Sequence, residues 1–303
     1  MTSVLVATDD GLRTFDERGN DVGHELDGHA VGPLLADGPE RWAVVDRSQV
    51  FHRPDANADW STLVSLEELQ ATCLSFTDRL LIGTSSARLL QVVDGAGNFL
   101  DGFDAAEGRG DWYTPWGGPP DTRSISEWGR DVYVNVHVGG ILRTSDAGAS
   151  WTPTIDIHAD VHRVATAEEL VLAACAGGLA TSTDRGATWS MRADGLEGGV
   201  YLRGVTVCGD SVLVSASEGP RGGRAAIYRG ALAAEGGFER CTEGLPEAFD
   251  DNVDSLWLDS PPDGSFAAFG TGDGRLFGSD DVGASWSELA TGLPPIAAVL
   301  VLP

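Results

Sequence analysis

Thr144-Ser145-Asp146-Ala147-Gly148-Ala149-Ser150-Trp151 is one of three copies of a single octapeptide. The second is Ser182-Thr183-Asp184-Arg185-Gly186-Ala187-Thr188-Trp189, and the third is Ser279-Asp280-Asp281-Val282-Gly283-Ala284-Ser285-Trp286. The shared form is Ser/Thr-x-Asp-x-Gly-x-Ser/Thr-Trp. Internal repeats constrain architecture more strongly than any local propensity. Each residue type here has a turn task. The Asp carboxylate accepts backbone N–H groups of the turn, Gly takes a left-handed φ, and Trp buries itself between sheets.

Reading outward from the three copies exposes worn ones. Trp189 and Trp286 are 97 residues apart, room for one more unit. That unit is found at 226–246, where Phe238 takes the Trp place and Thr242-Glu-Gly244-Leu-Pro246 matches Thr291-Gly-Leu-Pro294. Asp94–Phe99, Pro54–Trp60 and Phe15–Val22 complete the series. The anchors fall at 22, 60, 99, 151, 189, 238 and 286, spaced by 38, 39, 52, 38, 49 and 48 residues. Such spacings suit four-stranded units. One of them shows its strands clearly, as Val161–Ala165, Leu170–Ala174, Gly178–Thr181 and Thr188–Met191. These are apolar runs broken by Gly and Asp turn signals. Ser65–Ala71 is expected to make a single helical turn between units.

The sequence therefore predicts an all-β, seven-bladed β-propeller of four-stranded blades, read as a single domain over 1–303. The expected blades are 1–28 with 296–303, 29–65, 71–107, 122–157, 160–196, 200–246 and 252–294, with an insertion loop at 108–121. The apolar tail Ile296–Leu302 is expected to join blade 1 beside Ser3–Ala7 as its innermost strand, removing an open sheet edge.

The octapeptide resembles the Asp-box of the BNR, or sialidase-like, repeat family, whose members are β-propellers. The resemblance implies that the boxes are structural and lie away from the ligand face. It also implies that the ligand site lies where the innermost strands begin, around the central channel. It covers the boxes and the blade pattern only. Sialidases are similar in using three Arg, a Tyr with a Glu, and an Asp acid on six blades. Arg123 and Arg203 correspond to at most two of those Arg, and no Tyr/Glu pair matches. Seven-bladed relatives of this type also include protein-binding photosystem assembly factors and xyloglucanases, and fold alone does not choose among them.

Composition excludes several functions. The formal net charge is −26, from 46 Asp+Glu against 20 cations, all Arg. A phosphate backbone or an anionic membrane surface needs a basic footprint, so neither nucleic acid nor membrane is an expected partner. Acidity without Lys suits either a high-salt cytoplasm or a coding bias that trades Lys for Arg. The first ten residues show no basic segment ahead of an apolar one, so no signal peptide is expected. The cysteines at 73, 175, 208 and 241 are scattered, without a CxxC pair. Together these point to a reduced, cytoplasmic protein.

The starts of the innermost strands align at Gly32, Thr72, Arg123, His162, Arg203, Asp254 and Ala297. Blades 4 to 7 thus offer Arg, His, Arg and Asp at equivalent places, expected to converge at one mouth. Arg123, His137, His162, Arg203 and Asp254 are the candidate ligand-binding residues. Trp112, Tyr113 and Trp116 join them from the insertion loop, as a stacking platform or as its fastening. Glu218 joins from a long blade 6 loop, beside Arg221 and Arg224. His137, His158 and His162 lie within 26 residues and are a candidate transition-metal set. Asp160 is equally placed to pair one of them for acid/base work. Three functions stay open. One is a propeller binding a small anionic or carbohydrate-like ligand. The second is a glycosidase- or lyase-like enzyme, metal-assisted or not, with Asp254 and His162 as the catalytic acid/base pair. The third is a scaffold with a protein partner.

Overall fold

A computed structural model describes residues 2–167, 169–233 and 236–303. Met1, Glu168, Ala234 and Glu235, which fall within three of the expected blade ranges, lie outside the described residues. The strands form seven four-stranded antiparallel sheets, so the fold is an all-β, seven-bladed β-propeller. Blade 1 runs Ile296–Leu302, Ser3–Thr8, Gly11–Asp16 and Asp21–Glu25. Its first strand comes from the C-terminus and pairs Ser3 with Leu302, Val4 with Val301 and Leu5 with Leu300, as expected. Blades 2 and 3 run Val31–Asp37, Glu40–Val45, Gln49–Arg53, Ser61–Ser65, then Ala71–Phe76, Leu80–Thr84, Leu89–Val93, Ala96–Phe99. Blade 4 is Thr122–Trp128, Asp131–Val136, Gly140–Thr144 and Thr152–Pro153. Blade 5 is Val161–Ala167, Leu170–Cys175, Gly178–Ser182 and Ser190–Arg192. Blade 6 is Tyr201–Cys208, Ser211–Ser217, Ala226–Ala231 and Glu239–Arg240; blade 7 is Leu258–Asp259, Ala267–Gly270, Leu276–Ser279 and Ser287–Ala290.

The chain packs as two compact units. One comprises Met1–Val31, Ala174–Thr181 and Met191–Pro303; the other comprises Gly32–Ala173 and Ser182–Ser190. In the first, Val4, Val6, Phe15, Phe266, Leu276 and Val301 form one core cluster, and Phe269, Phe277 and Trp286 anchor another. In the second, Trp42, Val50, Ile82 and Leu90 form one cluster, and Phe103, Val134, Leu142 and Trp151 another. Alternating strand residues supply these clusters, which is the period-2 pattern of a sheet face.

The three octapeptides fold alike. Asp146 Oδ1 accepts the Thr144 hydroxyl at 2.7 Å and the Ser150 N–H at 3.0 Å, and Oδ2 accepts the Ser150 hydroxyl at 2.6 Å. Asp184 and Asp281 repeat every one of these contacts. The left-handed turn takes two residues rather than the Gly alone. Ala147 and Gly148 have φ of 58° and 85°, Arg185 and Gly186 63° and 86°, Val282 and Gly283 60° and 78°.

Two local expectations are corrected. Residues 66–70 are irregular with a bend at Glu67 and Glu68, not helical, because the segment bonds to a neighbouring turn instead of to itself. The Leu66 N–H donates to Ser48 O at 2.7 Å and the Ala71 N–H to Arg47 O at 2.8 Å. A four-residue helix lies instead at Asp101–Asp104. Asp254 does not begin a strand, since blade 7 opens only at Leu258. Its carbonyl accepts the Trp257 N–H at 3.0 Å and its carboxylate the Ser255 N–H at 2.7 Å, which makes a turn there.

Candidate functional site

Several of the aligned strand starts turn out to be β-bulges. Pairing in blade 4 slips between Thr122 and Ser124, leaving Arg123 as the extra residue. Blade 3 slips in the same way at Thr72, and blade 6 between Leu202 and Val205, at Arg203. A bulge breaks the alternation of side chains and re-aims the extra one. The equivalence read from sequence therefore has a backbone cause.

In the unit containing blade 4, four of the candidate residues gather. His137 opens the loop after Asp131–Val136, and its N–H donates to Asp121 O at 2.9 Å. The next residue, Val138, is buried with φ of 51°. A branched side chain in that region is strained, and persists because its surroundings over-determine it. One of those surroundings is Gly139, where a Cβ would meet Val136 Cγ1 at 2.5 Å and Trp112 Cγ at 3.1 Å. His162 is the second residue of Val161–Ala167 and is fully buried. Asp160 precedes that strand with φ of 49°, at the end of the single turn Ile157–Ala159.

These groups converge on one oxygen. His137 Nε2 lies 3.3 Å and His162 Nε2 3.6 Å from Asp160 Oδ1. The other His137 nitrogen, Nδ1, lies 3.5 Å from Asp121 Oδ1, and Asp121 Oδ2 lies 3.3 Å from Arg123 Nε. Asp160 Oδ1 and His137 Nδ1 are both buried, and their contacts, at 3.3 to 3.6 Å, fall short of well-formed hydrogen bonds. The His137 imidazole, with that of His162, holds the Asp160 carboxyl below its ordinary range against the upward push of burial. Burial also pushes Asp121 up, but the His137 ring and the Arg123 guanidinium outweigh it and leave that carboxyl low. One donor atom from each of His137, Asp160 and His162 lies within 4.8 Å of the other two, a set able to hold a metal ion. His158 is not in this set. It is exposed, its N–H donates to Asp156 at 2.8 Å, and its ring lies 6.3 Å from that of Tyr113. Asp160 stands where the sequence suggests His158.

The insertion loop divides its aromatics between two tasks. Trp112 packs on Phe103 at 5.8 Å and under Arg109 at 4.8 Å, fastening the loop to the core. Trp116 is 65% exposed with its ring 4.9 Å from that of His137, and Tyr113 is 43% exposed.

In the other unit the candidates pair among themselves. Arg203 Nη1 lies 3.3 Å from Asp254 Oδ1, and Nη2 donates to Pro220 O at 3.2 Å. Glu218 is largely exposed and faces Arg224 of its own loop at 4.0 Å. Arg123 and Arg203 thus each meet a carboxylate already, which lowers their value as an anion clamp. A cleft of ≈ 440 Å³ lies beside the first octapeptide, lined by Arg79, Glu127, Arg130, Asp146 and Trp151 among others, and by none of the candidate residues. The four cysteines are buried and form no disulfide among the described residues, and burial pushes Cys73 up to about 12 and Cys241 up to about 11, so neither of these two thiols is a ready nucleophile.

No protein-family model matches the chain, and no curated protein matches it. Solved structures do share the fold. A chain of a nidogen/laminin complex aligns with a TM-score of 0.57 at 10% identity, over 99% of this chain and 98% of that one. YCF48 bound to D1 peptide aligns with a TM-score of 0.61 at 15% identity, over 95% and 85%. The computationally designed Ika8 protein aligns at 0.60 and 13% identity, over 96% and 86%. At these identities the likeness defines the chain as a β-propeller and carries no activity with it. No helix among the described residues is long and apolar enough to cross a membrane.

Proposed function

We propose that this chain is a binding propeller of the BNR type whose ligand is a small, hydroxylated, carbohydrate-like molecule seated against Tyr113 and Trp116. The exposure of these two rings beside the buried polar group carries the reading. Phe99, the other exposed aromatic among the described residues, lies under the Arg88 guanidinium at 3.4 Å. An exposed indole offers a flat apolar face to a sugar ring, and the neighbouring carboxylates of Asp121 and Asp160 offer acceptors for hydroxyls. A neutral ligand fits better than an anion, because Arg123 already faces Asp121. Asp254 already accepts from Arg203 and from the Ser255 N–H, so its carboxylate is committed within the protein. A glycosidase acid at that position is correspondingly disfavoured.

A second reading, a peptide-binding scaffold, draws support from the likeness to YCF48 bound to D1 peptide. Tryptophan fluorescence titration separates the two. Neutral oligosaccharides, uronic and sialic acids, and unstructured peptides are titrated into the wild type and Trp116→Ala. Saturable binding of a neutral sugar, weakened at least tenfold in Trp116→Ala, supports the proposal. Binding of peptides alone moves the chain to the scaffold reading, and sugar binding indifferent to Trp116→Ala removes this site from it.

A further inference from the structure

We infer that His137, Asp160 and His162 form a site for one divalent first-row transition ion of the zinc type, with Asp121 as the outer partner of His137. The argument is geometric. Four donors each about 2.1 Å from a tetrahedral ion stand about 3.4 Å from one another. Asp160 Oδ1 stands 3.3 Å from His137 Nε2 and 3.6 Å from His162 Nε2, close to that spacing, and one donor atom from each of the three residues lies within 4.8 Å of the other two. Asp160 Oδ1 is buried and its two imidazole contacts are too long or too poorly aligned to be well-formed hydrogen bonds, which leaves an ionised oxygen under-satisfied and open to a cation. The donor chemistry agrees, because two imidazoles and one carboxylate select a borderline ion over Mg²⁺ or Ca²⁺, which take oxygen donors.

The outer contact agrees as well. A ligating imidazole commonly gives its other N–H to a carboxylate, which fixes the tautomer and raises the basicity of the ligating nitrogen. Asp121 Oδ1 lies 3.5 Å from His137 Nδ1, a buried nitrogen that makes no well-formed hydrogen bond in this geometry. A modest closure of that gap completes the pair. Val138, next to His137, is left-handed, a conformation strained for a β-branched residue, and Asp160 within the cluster is left-handed too. Strain of this kind collects at functional sites. Three protein donors leave a fourth position on the ion for water or ligand.

This inference does not rest on the carbohydrate reading, and it is tested without any sugar. The full-length protein is stripped with EDTA and titrated with Zn²⁺ against a chromophoric chelator, in millimolar Mg²⁺ to occupy surface carboxylates. A parallel Co²⁺ titration reports the ligand field. One Zn²⁺ per chain, and a Co²⁺ spectrum of tetrahedral intensity, are expected. Asp160→Asn and His162→Gln should weaken Zn²⁺ at least 100-fold, and Asp121→Asn about 10- to 100-fold. Asp146→Asn, in the first octapeptide, should leave affinity within twofold. Circular dichroism establishes that each variant is folded, and Asp160→Asn, half-buried and isosteric, keeps the test valid if His162→Gln is not. Absence of stoichiometric Zn²⁺ in Mg²⁺, or wild-type affinity in folded Asp160→Asn, overturns the inference.

Discussion

The first octapeptide turn and the His137–Asp160–His162 cluster lie within one unit of the chain, and each is built around an aspartate. Asp146 is solvated, yet both its oxygens accept side-chain or backbone donors from Thr144 and Ser150. Those donors, the Ser150 hydroxyl first, bring its carboxyl down to about 2. Asp160 is half-buried, and its Oδ1 receives no well-formed hydrogen bond although two imidazoles face it. A carboxylate whose oxygens are fully used within its own turn serves the fold; one faced only by two imidazoles at 3.3 and 3.6 Å is the one on which the proposed metal site is built. Three identical turns in one sequence reinforce the first half of that contrast, because a functional centre has no need of three copies.

The largest effect expected of any change belongs to neither region but to the blade that contains both chain ends. Removing residues 296–303 strips Ile296, Ala298, Val299 and Val301 from the core and leaves Ser3–Thr8 as an open edge. Cooperative unfolding in denaturant should disappear, and an unchanged midpoint would show that this strand is dispensable. Next comes Trp151→Ala, which empties a buried site where Trp151 meets Phe103 edge-on at 5.2 Å. A loss of about 3–5 kcal/mol is expected in equilibrium unfolding, with Zn²⁺ affinity of the folded fraction retained. Loss of metal binding at unchanged stability would reverse the roles assigned to the two regions.

Smaller, and sharper, is the pH dependence of Asp146→Asn. The folded-state carboxyl is lowered from 3.8 to about 2, so its contribution to stability is complete above about pH 4. That contribution fades as pH falls through 2. The melting difference between wild type and variant should be constant from pH 7 to 5 and shrink between pH 4 and 2. A difference that grows on acidification contradicts the assignment. Asp184, lowered to about 2 by Thr188 in the same way, should behave identically.

The sequence was most legible where chemistry repeats. The blades were legible from turns that recur, three of which satisfy the same backbone groups through the same Asp, and the C-terminal strand from an apolar run without a partner. It was least legible where one residue's role depends on a partner distant in the chain. Nothing local marks Asp121, which gains its part only when His137 is folded back onto it. Asp160 is visible beside His162 as Asp-x-His, a spacing too short to single out against His158. The helical turn expected at 65–71 does not form because so short a segment cannot outweigh backbone bonds to an adjacent turn. The double left-handed turn is hidden because Ala147, Arg185 and Val282 share no side-chain property that announces it.

The contrast between the two aspartates is tested most directly by anomalous diffraction from crystals of the protein soaked in Zn²⁺ and excess Mg²⁺, measured on either side of the zinc edge. The account predicts one strong peak per chain, about 2.0–2.2 Å from His137 Nε2, His162 Nε2 and an Asp160 oxygen, with none at Asp146, Asp184 or Asp281. A peak at the octapeptide turns with the histidine cluster empty, or none at all, would contradict it.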